Sequence, residues 1–253
     1  MLAAMLQKSV RMKFPAIHGY IDRRILVNFI ADPETIEKII PQPFRPKIYK
    51  GKAIVGICLI RLKNIKPKGL PDFIGVSSEN GAHRIAVEWD EHGQTKEGVY
   101  IPRRDTSLKL NALAGGRIFP GKHYLAKFDV KEKDDNYHIH FISSDNTSVC
   151  IDAKETNDFD PNSIFETLGN ASNFFEKGAL GYSPNAGKYE GLKLEVYKWQ
   201  VKPLKVLNVK SSFFENEAVF PKGSIQFDNA LLMTKVEHEW HSMIEKSYAA
   251  TII

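Results

Sequence analysis

Alternation of apolar and polar residues with a period of two recurs along most of this chain, and it limits the fold more than any other feature. Runs at 25–30, 53–62, 85–89, 99–102, 124–130, 137–142, 192–201, 203–209 and 230–240 read as strands, the first two being almost continuously apolar. Two segments read as helices, each opened by Asp-Pro, with Asp as N-cap and Pro in the first turn. Asp32-Pro33 leads a short helix through Ile36, Ile39 and Ile40. Asp160-Pro161 leads a longer one, in which Ile164, Phe165, Leu168, Ala171, Phe174 and Phe175 recur at helical spacing and Gly178 is placed as the C-terminal cap. Many strands with two helices imply a mainly β (α+β) chain whose sheet closes or nearly closes into a barrel, since closure removes exposed edges. The second helix has a face suited to covering the mouth.

At 253 residues and 43% hydrophobic content, the chain is long enough to bury a large core. No linker-like stretch or repeat interrupts it, so the expectation is a single domain over 1–253, with 1–18 as an N-terminal arm and a few peripheral helices. Gln7, Lys8, Arg11 and Lys13 break up the apolar residues at the start, leaving no hydrophobic signal core. No run approaches the roughly 20 apolar residues of a membrane span. A soluble, cytoplasmic protein with no membrane partner is expected. Cys58 and Cys150 each lie in an apolar run, where a reduced, buried thiol is the ordinary state.

The net charge of +5 mildly favours anions. The densest basic stretch, residues 61–68, has the spacing of a solvated edge strand or turn. Elsewhere basic residues alternate with acids, as at Lys131-Glu132-Lys133-Asp134-Asp135, so no nucleic-acid partner is expected.

The cluster Tyr100-Ile101-Pro102-Arg103-Arg104-Asp105-Thr106 ends a strand-like run. Continued alternation puts Val99, Ile101 and Arg103 on one face and Tyr100 and Arg104 on the other. An arginine on an apolar face needs an acidic partner or an anionic ligand, because a guanidinium does not discharge by losing its proton. Ser78-Glu79-Asn80-Gly81 reads as a turn before the strand 85–89, and His83 and Arg84 follow it. Gly115-Gly116-Arg117 reads as a second glycine-rich turn. His138 and His140 share a strand face, but spacing supplies no third ligand, and no metal or other cofactor is expected. No nucleophile elbow, phosphate-binding loop, dinucleotide fingerprint or H-E-x-x-H pattern occurs.

Three segments in order resemble the acetoacetate decarboxylase-like superfamily. The first is residues 21–46, with Asp22-Arg23-Arg24, an apolar strand, Asp32, a short helix and Ile-Ile-Pro-Gln-Pro-Phe. The second is Ser78-Glu79-Asn80-Gly81, and the third is Tyr100-Ile101-Pro102-Arg103-Arg104, which falls where the family has an aromatic residue, proline and two adjacent lysines. Pro-Arg-Arg-Asp-Thr followed by Ala-Gly-Gly-Arg is similar to an uncharacterised bacterial branch of that superfamily. The resemblance implies a β-barrel and a small-molecule site. In the decarboxylases the first lysine forms a Schiff base and the second helps lower its pKa. A guanidinium supplies no free amine at neutral pH, so Arg103 cannot take that part. Lys109 and Lys122 are the lysines nearby in the chain that a displaced Schiff base would use.

Carried over residue by residue, the resemblance makes Glu79 the acid or base and Arg103, Arg104, Arg23 and Arg24 the groups for a small anionic carboxylate or keto acid. One reading is a lyase- or isomerase-like enzyme whose enolate chemistry needs no Schiff base. The other is a noncatalytic ligand-binding barrel. The first expects Glu79 within hydrogen-bond reach of Arg103 or Arg104 across a pocket; the second expects a cavity without a positioned acid or base. Phe174-Phe175 and Phe213-Phe214 suit either a core or a contact between subunits of a homo-oligomer.

Overall fold

The computed structural model describes residues 16–114, 121–185 and 188–242. The elements in order are β1 (Ile17–Ala31), α1 (Pro33–Glu37), β2 (Arg45–Pro46), β3 (Ile48–Tyr49), β4 (Lys52–Pro67), β5 (Val76–Glu91), β6 (Gln94–Thr106), α2 (Lys109–Ala114), β7 (His123–Lys133), β8 (Asn136–Ser143), β9 (Ser148–Glu155), α3 (Leu168–Glu176), β10 (Leu180–Asn185), β11 (Lys188–Val196), β12 (Lys202–Ser211) and β13 (Ile225–Ser242). The chain is mostly β, as its alternation predicts, and its strands form one 13-stranded sheet that rings round.

The pairings close two circuits rather than one. One runs β6-β7-β8-β9-β12-β13-β1-β4-β5 and back to β6; the other leaves β6 through β10 and β11 and rejoins at β13. The circuits share β13-β1-β4-β5-β6, so this stretch of sheet is covered on both faces. Burial on both sides explains why residues 25–30 and 53–62 read as unbroken apolar runs. On the first face, Ile25, Val27, Val55, Ile57, Leu59, Ile85 and Val87 pack with Ile139, Phe141, Val149 and Ile151 of the facing strands. On the second, Leu26, Ile54, Cys58, Ala86 and Leu231 pack beneath Phe165, Ala171, Phe174 and Phe175 from α3 and its approach.

The strand at the junction has to change partners. Val99 and Tyr100 of β6 pair in parallel with Gly181 and Tyr182 of β10, whereas Arg104, Asp105 and Thr106 pair in parallel with His123, Tyr124 and Leu125 of β7. Pro102, which has no N–H to donate, sits between the two sets. Against β5 the register slips here, because His83 opposes Arg103 but Ile85 opposes Tyr100. The extra residue of β6 is a bulge and reverses the facing of what lies before it. The expected grouping is thereby corrected: Val99 and Ile101 share a side with Arg104, while Tyr100 joins the core on the Arg103 side.

Three further expectations change. Ser78-Glu79-Asn80-Gly81 lies inside β5 rather than in a turn. Asn80 Nδ2 bonds Ser78 Oγ (2.9 Å) and its Oδ1 accepts from Thr106 Oγ1 (2.8 Å), and a Cβ at Gly81 would lie 2.8 Å from Phe141 Cε1. Packing and strand bridging therefore account for the Asn-Gly pair. Residues 61–67 of the basic stretch belong to β4, a central strand that Lys68 directly follows, and the stretch is satisfied by ion pairs from Arg61, Lys63, Lys66 and Lys68 to Glu79, Asp22, Asp72 and Glu239. Asp32 caps α1 as expected, its carboxylate accepting from Thr35 N at 3.1 Å. Asp160, by contrast, caps a turn, because Ser163 and Ile164 are fastened to Asp228 (2.7 and 2.8 Å) and Glu166 takes φ 63°. The helix starts about two turns later, with Thr167 as its cap. Gly115-Gly116-Arg117 lies outside the described residues. Among the described residues no helix is long and apolar enough to cross a membrane.

Candidate functional site

Because successive residues of a strand face opposite ways, each adjacent arginine pair divides between the two sides of the shared sheet. Arg23, Arg61 and Glu79 lie in one cross-strand row on β1, β4 and β5. Glu79 accepts from Arg23 Nη2 and Arg61 Nε, each at 2.5 Å, and Glu132 bonds both guanidiniums. Arg103, on the same side, bonds Asp105 and Asp145 at 2.7 Å each and stacks on Tyr124 at 4.1 Å. Burial lowers the pKa of Arg103, but hydrogen bonds to Asp145 and Asp105 outweigh it and raise the net value. These charges are mutually compensated.

The other side is different. Here a cavity of about 140 Å³ is lined by Arg24, Arg84 and Arg104 over a floor that includes Leu26, Cys58, Ile60 and Ala82. Phe174 and Phe175 of α3 roof it, and Val99, Ile101, Leu192 and Trp240 close its flanks. Arg24 Nε donates to Cys58 Sγ at 3.4 Å, Arg84 bonds Asn28 Oδ1, and Arg104 Nε donates to Ser183 Oγ at 3.0 Å. Arg84 is 6% exposed with Nε unpartnered, and its guanidinium lies 4.9 Å from the Phe175 ring. None of these three arginines has a carboxylate partner among the described residues. Burial pulls both Arg84 and Arg104 down to about 10. They remain charged at neutral pH, so the cavity holds positive charge that no carboxylate among the described residues answers.

Small residues make this possible. A Cβ at Gly56 would sit 3.2 Å from Arg84 Nη2 and 2.4 Å from Val27 O, so glycine is what lets the guanidinium lie across β4. The remaining ionisable lining groups are restrained. Lys47 is paired with Glu97, which also lies 3.9 Å from Lys177 Nζ. Asp105 is bound by Arg103 and by Ser143 Oγ (2.5 Å), and burial raises its pKa against those bonds. His123 is lowered to about 3, chiefly by burial and then by Arg104, and is neutral.

The site residues expected from sequence are therefore separated. Arg24 and Arg104 meet at the cavity, whereas Arg23, Arg103 and Glu79 are held in ion pairs on the opposite side of the sheet, and Glu79 is not among the lining residues. Glu79 is tied to Arg23 and Arg61 instead of reaching Arg103 or Arg104, because its row on β5 lies across from Arg61. Sequence reasoning passed over Arg84. Its available signal was a charged residue just before an apolar run, opposite a glycine in the neighbouring run. Lys109 is exposed on α2, and Lys122 lies 4.5 Å over Tyr124; the lining lysines are Lys47 and Lys177. His138, Cys150 and Asp152 form a half-buried group on adjacent strands with metal-ligand atoms within 4.8 Å of one another, and His138 Nδ1 is 2.6 Å from Asp152.

In sequence, none of the curated proteins compared matches the chain. Solved structures with the same fold include acetoacetate decarboxylase from Legionella pneumophila (TM-score 0.61, 12% identity, 99% of each chain covered) and an acetoacetate decarboxylase-like enzyme from Sphingomonas wittichii (TM-score 0.56, 9% identity, 98% and 99% covered). The enduracididine biosynthesis enzyme MppR, solved with pyruvate, aligns with TM-score 0.54 at 8% identity over 95% of this chain and 93% of its own. The profile of the DUF2071 family, described as "Uncharacterized conserved protein", matches residues 21–235. With that match over most of its length, the chain belongs to the DUF2071 family, and it has the fold of acetoacetate decarboxylase.

Proposed function

We propose that the protein binds a small carboxylate or keto acid in the arginine-lined cavity without forming a Schiff base, and that it is not an acetoacetate decarboxylase. The observation that carries this reading is the presence of three guanidiniums, Arg24, Arg84 and Arg104, around one cavity with no carboxylate partner among the described residues. Leaving such charge buried and unpaired is unfavourable, and an anion entering the cavity relieves it. Apolar walls suit the carbon body of the ligand. The sequence resemblance aligns the Arg103-Arg104 pair with the two lysines of the decarboxylase family, and Lys47, the more buried of the two lining lysines, is committed to Glu97. On a keto acid, fixed guanidiniums would stabilise the negative charge of an enolate, which is the basis for lyase- or isomerase-like chemistry.

The placement of Glu79 favours a second reading, a noncatalytic ligand-binding protein. Its carboxylate is engaged by Arg23 and Arg61 on the opposite side of the sheet and offers no free base to the cavity.

Pyruvate in deuterated buffer separates the two readings. If the protein performs enolate chemistry, NMR will show faster exchange of the methyl protons in its presence, and Arg104→Ala will abolish the acceleration. If it only binds, pyruvate will raise the melting temperature of the wild type and not of Arg104→Ala, without exchange. Borohydride treatment with pyruvate followed by intact-mass measurement is expected to show no adduct; an adduct on Lys47 or Lys177 would overturn the Schiff-base-free proposal.

A further inference from the structure

The arrangement of the three arginines narrows the ligand. This step rests on the reading that the cavity binds a small anion. On the cavity side of the shared sheet, register places Arg24 opposite Ile60 and Asn80, and places Leu26 in a row with Cys58, Ala82 and Arg104. Arg84 lies two residues beyond Ala82 on β5 and faces Gly56. Arg24 thus stands at the β1 end, where the Arg84 guanidinium also lies after crossing Gly56 to reach Asn28, while Arg104 stands on β6 at the other and bonds Ser183. Three strand spacings separate β1 from β6, about 14 Å between backbones at about 4.8 Å per strand. The floor between these ends is small and largely apolar, made of Cys58 and Ala82 with Leu26 and Ile60 beside them.

Charge counting points the same way. Among the described lining groups, Asp105 is matched by Arg103, Lys47 and Lys177 share Glu97 behind the lining, and His123 is neutral. The three cavity arginines have no acid among the described residues, and a monoanion would leave two of them uncompensated. A single compact dianion would neutralise charge at one end only. Two anionic groups joined by a short apolar bridge would match both ends and the floor between them. Size sets the upper limit, since an apolar cavity of about 150 Å³ admits benzene. The bridge is therefore short.

We propose that the cavity is a site for short-chain dicarboxylates, including their keto derivatives, with one carboxylate between Arg24 and Arg84 and the other at Arg104.

Calorimetry on the full chain at low ionic strength, with succinate, butyrate and sulfate as probes, tests this. Succinate and butyrate share a four-carbon length and differ by one carboxylate, and sulfate carries two charges in one compact group. Succinate is expected to bind at least tenfold more tightly than either of the others. Arg24→Met is expected to narrow the difference between succinate and butyrate at least threefold. Equal affinity for succinate and butyrate in the wild type would overturn the dicarboxylate assignment and leave the anion-site reading standing. Sulfate binding as tightly as succinate would overturn the two-ended arrangement. Binding of none of the three would remove both this inference and the reading beneath it. The wild-type ratios decide the matter even if Arg24→Met fails to fold.

Discussion

At the scale of single residues, adjacent arginines in this protein have opposite energetic characters. Arg103 holds two carboxylates, one of them fully buried, so Arg103→Ala strands Asp105 and Asp145. Urea denaturation should show a loss of about 3–5 kcal/mol, the usual cost of breaking a buried pair by removing one partner. Arg104→Ala removes a half-buried charge with no acid partner among the described residues and one hydrogen bond to Ser183, so its cost should stay below about 1.5 kcal/mol. The pair also predicts a pH dependence. The hydrogen bond from Arg103 holds the Asp145 carboxyl well below the ordinary carboxylate range, so its contribution to stability is complete above about pH 4 and fades as pH falls through the folded pKa. Asp145→Asn should flatten the acid limb of the stability profile relative to wild type. Asp105, raised mainly by burial, acts with the opposite sign, which is why the comparison is made with Asp145 alone. Sequence showed that alternation would divide the arginine pairs. It could not show which member met the cavity, because that depends on the bulge before Arg103, set by the change of partner from β10 to β7.

At the scale of elements, the cavity depends on how α3 is anchored and on the small residues beneath the guanidiniums. Thr167 Oγ1 accepts from Asn170 N at 3.2 Å, and Thr167→Ala should cost about 1 kcal/mol of stability and loosen the Phe174-Phe175 roof. Weaker carboxylate binding in that variant, read by calorimetry, is the accompanying expectation. Gly56→Ala should be more damaging, since the added methyl meets the backbone carbonyl of Val27 as well as Arg84. Chemical denaturation should show a clear loss of stability, and carboxylate-induced stabilisation should disappear with the displaced Arg84. The apolar face of α3 was legible from the spacing of Leu168, Ala171, Phe174 and Phe175, but its start was not. That boundary is fixed by Asp228, some sixty residues away in sequence, which bonds Ser163 and Ile164 and keeps the Asp160-Pro161 segment in a turn.

At the scale of the whole molecule, the shared stretch of sheet is a partition between two environments. Its first side carries the large aliphatic core and the matched charges of Arg23, Arg61, Arg103 and their carboxylates. Its second side carries the roofed cavity and the unmatched arginines. The strand-rich character, the near absence of long helices and closure of the sheet were legible from period-two runs, but the nine runs fall short of the thirteen strands because short or weakly alternating strands such as β2, β3 and β10 leave no such signal. The second circuit through β10 and β11 was not, because a strand that forks between two partners has the same alternation as one that does not. Phe174, Phe175 and Phe214 are buried within the chain, which assigns them to its core. The proposed anion site on the second side of the partition can be located by an anomalous difference map from a crystal soaked in bromide: a peak is expected among Arg24, Arg84 and Arg104 and none beside Arg103 or Glu79, and a peak at the Arg23–Glu79–Arg103 side with an empty cavity would overturn the assignment.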